Sequence, residues 1–169
     1  PKELLEACAR LNLPIAITYG LTETASQVAT LPPEAVRLKP GSVGKPLLWN
    51  RVQILDDSEN ILPANAVGEV CVSGPVVMPG YWQDEPATQA VLRGGWLHSG
   101  DLATRDEKGY YKITGRIKDM IIRGGENIYP KEIEEFLYTQ EAVSDVQVIG
   151  VPSRQYGEEI MACIILKKG

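Results

Sequence analysis

Residues 115–135, GRIKDMIIRGGENIYPKEIEE, constrain this chain more than any other stretch. An arginine, a Lys-Asp pair and a short apolar run precede two consecutive glycines, and a proline follows. Ile121 and Ile122 are β-branched and suit a strand, whereas Gly124 and Gly125 can adopt backbone angles that other residues reach only with strain. Pro130 fits the first turn of a helix, where its fixed φ and missing donor cost little. The pattern predicts a strand, a Gly-Gly turn and a helix, a joint of the kind at which binding residues collect. Spacing alone is equally satisfied by a plain strand-turn-helix.

Composition narrows the classes. With 169 residues, 44% hydrophobic and 23% charged, the chain has room for one domain or a domain and part of another. Seventeen basic against 22 acidic residues leave a net charge of −5, which argues against a broad nucleic-acid-binding surface and requires local basic groups for any anionic ligand. The apolar runs fall far short of the roughly 20 residues of a membrane-spanning helix, so no transmembrane segment is predicted. Cys8, Cys71 and Cys163 are odd in number and form no CxxC pair; a reducing, cytoplasmic setting is expected rather than a disulfide framework or zinc knuckle. His98 is the sole histidine and has no obvious catalytic partner in the sequence. The stretch EIMACIILK is apolar on both alternating faces and therefore wants cover on both. With Gly169 so soon after it, the chain is expected to be a piece of a longer protein.

Leu4, Leu5, Cys8 and Leu11 recur at helical spacing. Residues 14–18 suit a short strand, followed by YGLTETAS, a hydroxyl-rich loop at the strand's carboxyl end, where open α/β sheets place ligands; hydroxyls that merely cap a helix fit the same letters. Prolines and glycines make 31–50 irregular. Strands are predicted over 51–55 and 67–73, joined hairpin-fashion through DDSENILPAN. Residues 84–93 form a helix capped by Asp84 and stopped by Gly94 and Gly95. A loop, a tight turn holding Asp101 beside Gly100, a strand, a DEKG turn and a second strand follow. Beyond these come a strand over 119–123, a helix over 131–140 with Ile133, Phe136 and Leu137 on its inner face, and strands over 145–151 and 159–166. The fold class is α+β, with a boundary at Lys118 separating 1–117 from 118–169.

A hydroxyl beside a carboxylate, Thr22 and Glu23, suits a phosphate oxygen and a hard cation such as Mg²⁺. A loop aspartate, Asp101, can accept both hydroxyls of a ribose. Arg116 offers a fixed fork of donors to ribose or phosphate, and Tyr19 a ring on which a base can stack. Each element alone is commoner as a structural feature. Their joint order points to a nucleoside triphosphate, and the missing GxxxxGK[ST] excludes an ordinary P-loop.

In sequence order YGLTE, GSVGKP, GEVCVSGPVVMPGYW, GWLHSGD and GRIKDMIIRGGENIYPKEIE resemble the core motifs of the adenylate-forming enzymes, the superfamily of acyl-CoA synthetases, luciferases and peptide-synthetase adenylation domains. GGENIYPKEIE is most similar to the acyl-CoA synthetase branch, in particular medium- and long-chain fatty acid CoA ligases. The resemblance implies the β-rich carboxy-terminal part of a large nucleotide-binding domain followed by a truncated small α+β domain. It implies that Tyr19 stacks on adenine, Thr22 contacts phosphate, Glu23 associates with magnesium, and Asp101 and Arg116 reach the ribose. Lys118 falls at the hinge of the small domain, a place often held by Asp, and Gly124 and Gly125 in the loop lining the channel for the pantetheine arm of coenzyme A. Ser99 stands where Thr is common. ATP, AMP, Mg²⁺ and CoA are the implied cofactors and co-substrates, and a carboxylic acid, a fatty acid, the implied partner. The implied reaction is adenylation of the acid followed by displacement of AMP by the CoA thiol. The family's phosphate loop and its carboxy-terminal lysine motif are not in these residues, so the chain alone is expected to be inactive. Two alternatives fit the letters: an adenylation module loading an aryl or amino acid onto a carrier protein, and a non-catalytic binding domain. Joint retention of Thr22, Glu23, Asp101 and Arg116 speaks against the second.

Overall fold

A computed structural model describes Leu5, Ala7, Cys8 and residues 10–167. They divide into two compact units, one running up to residue 99 with Ala103–Ile113, the other comprising Gly100–Leu102 and the residues from 114 onward. Leu4 of the expected opening helix lies outside the described residues; Leu5, Ala7, Cys8 and Arg10 are helical. Among the described residues no helix is long and apolar enough to cross a membrane. The architecture is α+β and dominated by strands.

In the first unit, β1 (Ile17–Tyr19), β2 (Ala29–Leu31) and β3 (Lys45–Pro46) form a small antiparallel sheet, with α1 (Pro33–Val36) between β2 and β3. The irregular reading of 31–50 thus missed a helical turn and a strand, each too short to leave a periodic signal. The larger sheet contains β4 (Arg51–Leu55), β5 (Gly68–Ser73), β6 (Leu92–Arg93), β7 (Trp96–Arg105) and β8 (Tyr111–Arg116) in the order β4-β5-β7-β6, with β8 paired to β7. Val52 and Ile54 alternate inward opposite Val72 and Val70. With Val28, Leu97, Ala103 and Tyr111 they make the core, each large apolar side chain contributing roughly 1.5–3 kcal/mol by burial.

Two turns in this unit are closed alike. Asp56 Oδ1 accepts from the N–H groups of Ser58 and Asn60 at 2.9 and 2.8 Å, and Asp106 Oδ1 from those of Lys108 and Tyr110, both at 2.9 Å. Aspartate favours such turns because its short side chain reaches the backbone two residues on. After the first turn Leu62 N–H donates to Ile54 C=O at 2.9 Å, the short apolar return expected of the hairpin.

The helix at 84–93 is α2 (Glu85–Val91), capped as expected by Asp84, whose side chain accepts from Ala87 N–H at 3.0 Å. It ends early. Leu92 and Arg93 pair with Leu97 and Trp96 across Gly94 and Gly95, whose φ values of +56° and +81° suit a two-residue hairpin of type I′. Gly94 and Gly95 therefore turn a hairpin rather than merely stop a helix. Asp101 likewise lies within β7 rather than in a turn, after Gly100 at φ +71°; the Ser-Gly-Asp letters carry turn propensity that the neighbouring strands override.

The two sheets of this unit meet at Tyr111. Its N–H donates to Gly44 C=O at 2.9 Å and its C=O accepts from Val43 N–H at 2.9 Å. Ser42 Oγ donates to the same carbonyl at 2.8 Å and accepts from Gly44 N–H at 2.9 Å, while Tyr111 Oη donates to Val52 C=O at 2.7 Å. Gly44 has φ +91°, and a Cβ there would lie 1.9 Å from Thr30 O, so no other residue fits.

The second unit is built on β9 (Ile121–Arg123), β10 (Glu126–Ile128), β11 (Val143–Ser153) and β12 (Gly157–Leu166), an antiparallel sheet in the order β10-β9-β12-β11, with α3 (Pro130–Leu137) packed on β11. Gly124 and Gly125, at φ +60° and +90°, turn the β9-β10 hairpin. An extra strand thus separates the glycines from the helix; Glu126 and Asn127 are poor strand formers and concealed it. Ile133 and Leu137, one turn apart, join Ile128 and Ile160 around Ile121, Val143, Val146 and Val148. Phe136, expected on the inner face, is 65% exposed, because its position carries it off the stripe set by Ile133 and Leu137.

Gly44→Ala should lower stability by about 3 kcal/mol or more, combining a positive-φ penalty with a backbone clash, whereas Tyr111→Phe should cost only about 1–2 kcal/mol through one buried hydrogen bond; urea unfolding ranks the two. The Asp56 carboxyl is held below its ordinary range chiefly by Asn60 N–H, and that of Asp106 chiefly by Lys39 Nζ. A depressed folded-state pKa means stability present above the unfolded value and lost as pH falls through the folded one. Carboxyl NMR titration should place both groups below the ordinary aspartate range.

Candidate functional site

The turn after β1 carries two of the expected site residues. Val28 N–H donates to Tyr19 C=O at 2.8 Å, closing the loop between β1 and β2. Gly20 permits the closure, since a Cβ there would lie 1.5 Å from Ser26 O. A short 3-10 turn, Thr22–Thr24, forms within it. The buried Thr24 hydroxyl accepts from Leu21 N–H at 2.9 Å and donates to Leu21 C=O at 3.0 Å. Thr24 does the structural work that a polar loop needs, leaving the exposed Thr22 and half-buried Glu23 displayed on the turn. Tyr19 is half-buried against the core of the larger sheet.

Glu23 has a partner that sequence reasoning assigned no role. Tyr81 Oη donates to Glu23 Oε1 at 2.7 Å, and Met78 N–H donates to Glu23 C=O at 2.8 Å. The carboxylate pushes the Tyr81 phenol above its ordinary range, so the ring keeps its proton. Tyr81 lies in the PGYW letters already singled out in the sequence, which was the available signal.

In the second unit Asp101 and Arg116 are together. Arg116 Nε lies 3.0 Å from Asp101 Oδ1, the aspartate side chain 7% exposed and the arginine 54%. The guanidinium thus fixes a buried acceptor while keeping a face to solvent, geometry compatible with a diol at the aspartate and a second donor from arginine. Lys118 is exposed in a 3-10 turn, Ile117–Asp119, between β8 and β9. Gly124 N–H donates to Tyr156 C=O at 2.9 Å. Arg123 lies over the Tyr156 ring, 4.1 Å from its centroid, and forks onto Glu159 through Nε and Nη2. These contacts brace the glycine tip.

His98 has partners that the sequence concealed, because they come from other strands. Its Nδ1 is 2.8 Å from Glu69 Oε2, 2.8 Å from Arg93 Nη2 and 3.4 Å from Cys71 Sγ. Glu69 and Cys71 are two apart on β5 and so share a face. Burial, then the Glu69 charge, pushes the Cys71 thiol up to about 12, which keeps it protonated and unsuited to nucleophilic attack. The ligand-type atoms of Glu69, Cys71 and His98 lie within 4.8 Å of one another. The Arg93 guanidinium already places positive charge at Nδ1, however, and the group reads as a network bracing β5, β6 and β7 rather than a metal centre.

The AMP-binding enzyme family matches residues 1–82, and the AMP-binding enzyme C-terminal domain matches 132–169. The 2-succinylbenzoate-CoA ligase of Geobacillus kaustophilus is 45% identical over the whole chain, which covers 34% of that protein; its counterpart in Bacillus mycoides is 43% identical, with 35% covered. Among solved structures, the o-succinylbenzoate CoA synthetase of Bacillus subtilis in complex with its acyl-adenylate intermediate is 40% identical with a TM-score of 0.92, over 100% of this chain and 35% of that one. The amide bond synthetase of Marinactinospora thermotolerans is also 40% identical, with a TM-score of 0.84, over 91% and 32%. The chain spans about a third of the length of these relatives. The expected likeness to medium- and long-chain fatty acid ligases is corrected: these CoA ligases are named for 2-succinylbenzoate. The motifs behind that expectation are those assigned to nucleotide and CoA, chemistry shared across acids, and they carry no signal for the acid. By both family matches and by identity along its full length, the chain belongs to the AMP-binding enzyme superfamily.

Proposed function

We propose that the whole protein is an ATP-dependent, AMP-forming CoA ligase for 2-succinylbenzoate. In this reading residues 1–117 are the carboxy-terminal part of its large nucleotide-binding domain, 118–169 belong to its small domain, and Lys118 is the hinge. The observation that supports the reading is the likeness of all of this chain to 35% of the synthetase bound to its acyl-adenylate, at a TM-score of 0.92 and 40% identity. A related complex of the same enzyme holds ATP and magnesium.

The reaction has two steps. A carboxylate oxygen of the acid attacks the α-phosphorus of ATP, and the bond to pyrophosphate breaks. The CoA sulfur then attacks the acyl carbon and AMP leaves with the bonding pair. Asp101, steadied by Arg116, accepts the ribose hydroxyls; Tyr19 supports adenine; Thr22 donates to a phosphate oxygen. Hydroxyl and carboxylate oxygens at Thr22 and Glu23 form a hard donor set that fits Mg²⁺, which when bound offsets charge on the phosphates. Rotation about Lys118 brings the Gly124-Gly125 tip to the pantetheine arm for the second step.

Pyrophosphate release by the full-length protein across a panel of acids should favour 2-succinylbenzoate over fatty acids by at least about tenfold in kcat/KM. An equal preference sinks the substrate assignment, and CoA-independent coupling to amines would favour the amide synthetase type instead. Asp101→Ala should raise the KM for ATP by about tenfold or more, since it removes a charged acceptor. Lys118→Pro should leave pyrophosphate release within about threefold and lower thioester formation by at least tenfold; equal loss of both half-reactions removes the hinge.

A further inference from the structure

We propose that Tyr81 is a positioning residue for Glu23: its hydroxyl holds Oε1 so that Oε2 is presented to a divalent cation on the nucleotide phosphates. The inference rests on the magnesium role proposed for Glu23 and adds a residue to it. The bond spans 58 positions of sequence at 2.7 Å. A second tie between the same segments runs from Met78 N–H to Glu23 C=O at 2.8 Å. One fixes the backbone of the turn and the other its side chain.

Tyr81 is itself held. Its N–H donates to Thr88 Oγ1 at 2.9 Å, and that hydroxyl donates to Asp84 C=O at 2.8 Å, so the tyrosine is tied to the first turn of α2. The segment packs closely there, as a Cβ on Gly80 would lie 2.9 Å from Thr88 Cγ2. A glutamate on a surface turn otherwise samples many rotamers, and ordering it on cation binding costs free energy. A phenol that donates to one oxygen removes much of that freedom beforehand and leaves the other oxygen to face a hard cation. The arrangement also explains why a half-exposed aromatic is placed here: phenylalanine would fill the same space and hold nothing.

The test measures pyrophosphate release by the full-length protein against Mg²⁺ concentration for the parent, Tyr81→Phe, Glu23→Gln and the double variant. Tyr81→Phe is expected to raise the Mg²⁺ concentration at half-maximal rate about three- to tenfold, the scale of one charge-assisted hydrogen bond in a partly solvated site. Its Tm and its affinity for AMP without Mg²⁺ should not change, and it should add nothing in the Glu23→Gln background. An unchanged Mg²⁺ requirement in Tyr81→Phe, with a raised one in Glu23→Gln, overturns the Tyr81 inference and leaves the Glu23 assignment standing. A Tyr81→Phe effect of equal size in both backgrounds overturns it as well, because the tyrosine would then act elsewhere. An unchanged requirement in Glu23→Gln overturns both.

Discussion

The first unit depends on a backbone exchange between Gly44 and Tyr111. Two strands meet there through paired N–H and C=O groups, with Ser42 bonded to both sides and the Tyr111 ring sunk into the core beneath. Gly44 must lack a side chain because Thr30 O occupies the place of its Cβ. Thr30 belongs to β2, which pairs with β1, and β1 leads directly into the turn that displays Thr22 and Glu23. The turn that displays Thr22 and Glu23 therefore inherits its position from a contact made by residues outside the candidate site. Buried backbone groups must find partners, and here that requirement joins a three-stranded sheet to the larger sheet beside it.

What could be read in advance follows from how local each signal is. The strands at β4 and β5 were legible because apolar, largely β-branched residues run through RVQIL and GEVCVS between turn-forming stretches, and the Asp84 cap because its hydrogen bond closes within three residues. The strands β3, β6 and β10 are two or three residues long and exist only because a neighbour supplies the ladder. Gly124-Gly125 announced a turn and Gly94-Gly95 a helix stop, but the letters did not say that each pair would close a hairpin. The same limit applies at the site. Thr22, Glu23, Asp101 and Arg116 could be named from their motifs, whereas the Tyr81 hydroxyl on Glu23 and the partners of His98 are long-range contacts without periodicity.

The two acidic residues assigned to nucleotide binding are supported differently, in keeping with their proposed tasks. Asp101 is buried and ion-paired, which suits the fixed acceptor that its proposed ligand, a pair of neutral hydroxyls, requires, where geometry matters more than charge. Glu23 sits at the surface with a neutral phenol as its donor. A cationic partner there would offset the negative charge that attracts Mg²⁺, while a phenol orients the carboxylate and leaves that charge in place. The contrast between an arginine at one carboxylate and a tyrosine at the other is what their proposed ligands, a diol and a metal ion, would demand.

The glycine tip of the second unit separates backbone demand from a demand for space. At Gly125 the φ of +90° is reason enough for glycine. At Gly124 the φ of +60° is one that asparagine also adopts, and Asn-Gly is a favoured pair for this turn type. A Cβ at Gly124 would meet only the Tyr156 ring, at an ordinary 3.5 Å, and one at Gly125 nothing within 4 Å. Neither packing nor the turn therefore forbids a side chain at 124. Arg123, itself held by Glu159, lies over the Tyr156 ring, which keeps the surface beside the tip in place. A bare, braced tip is what the proposed passage of a narrow pantetheine arm needs, and under that proposal the passage, rather than local structure, is the demand that Gly124 meets.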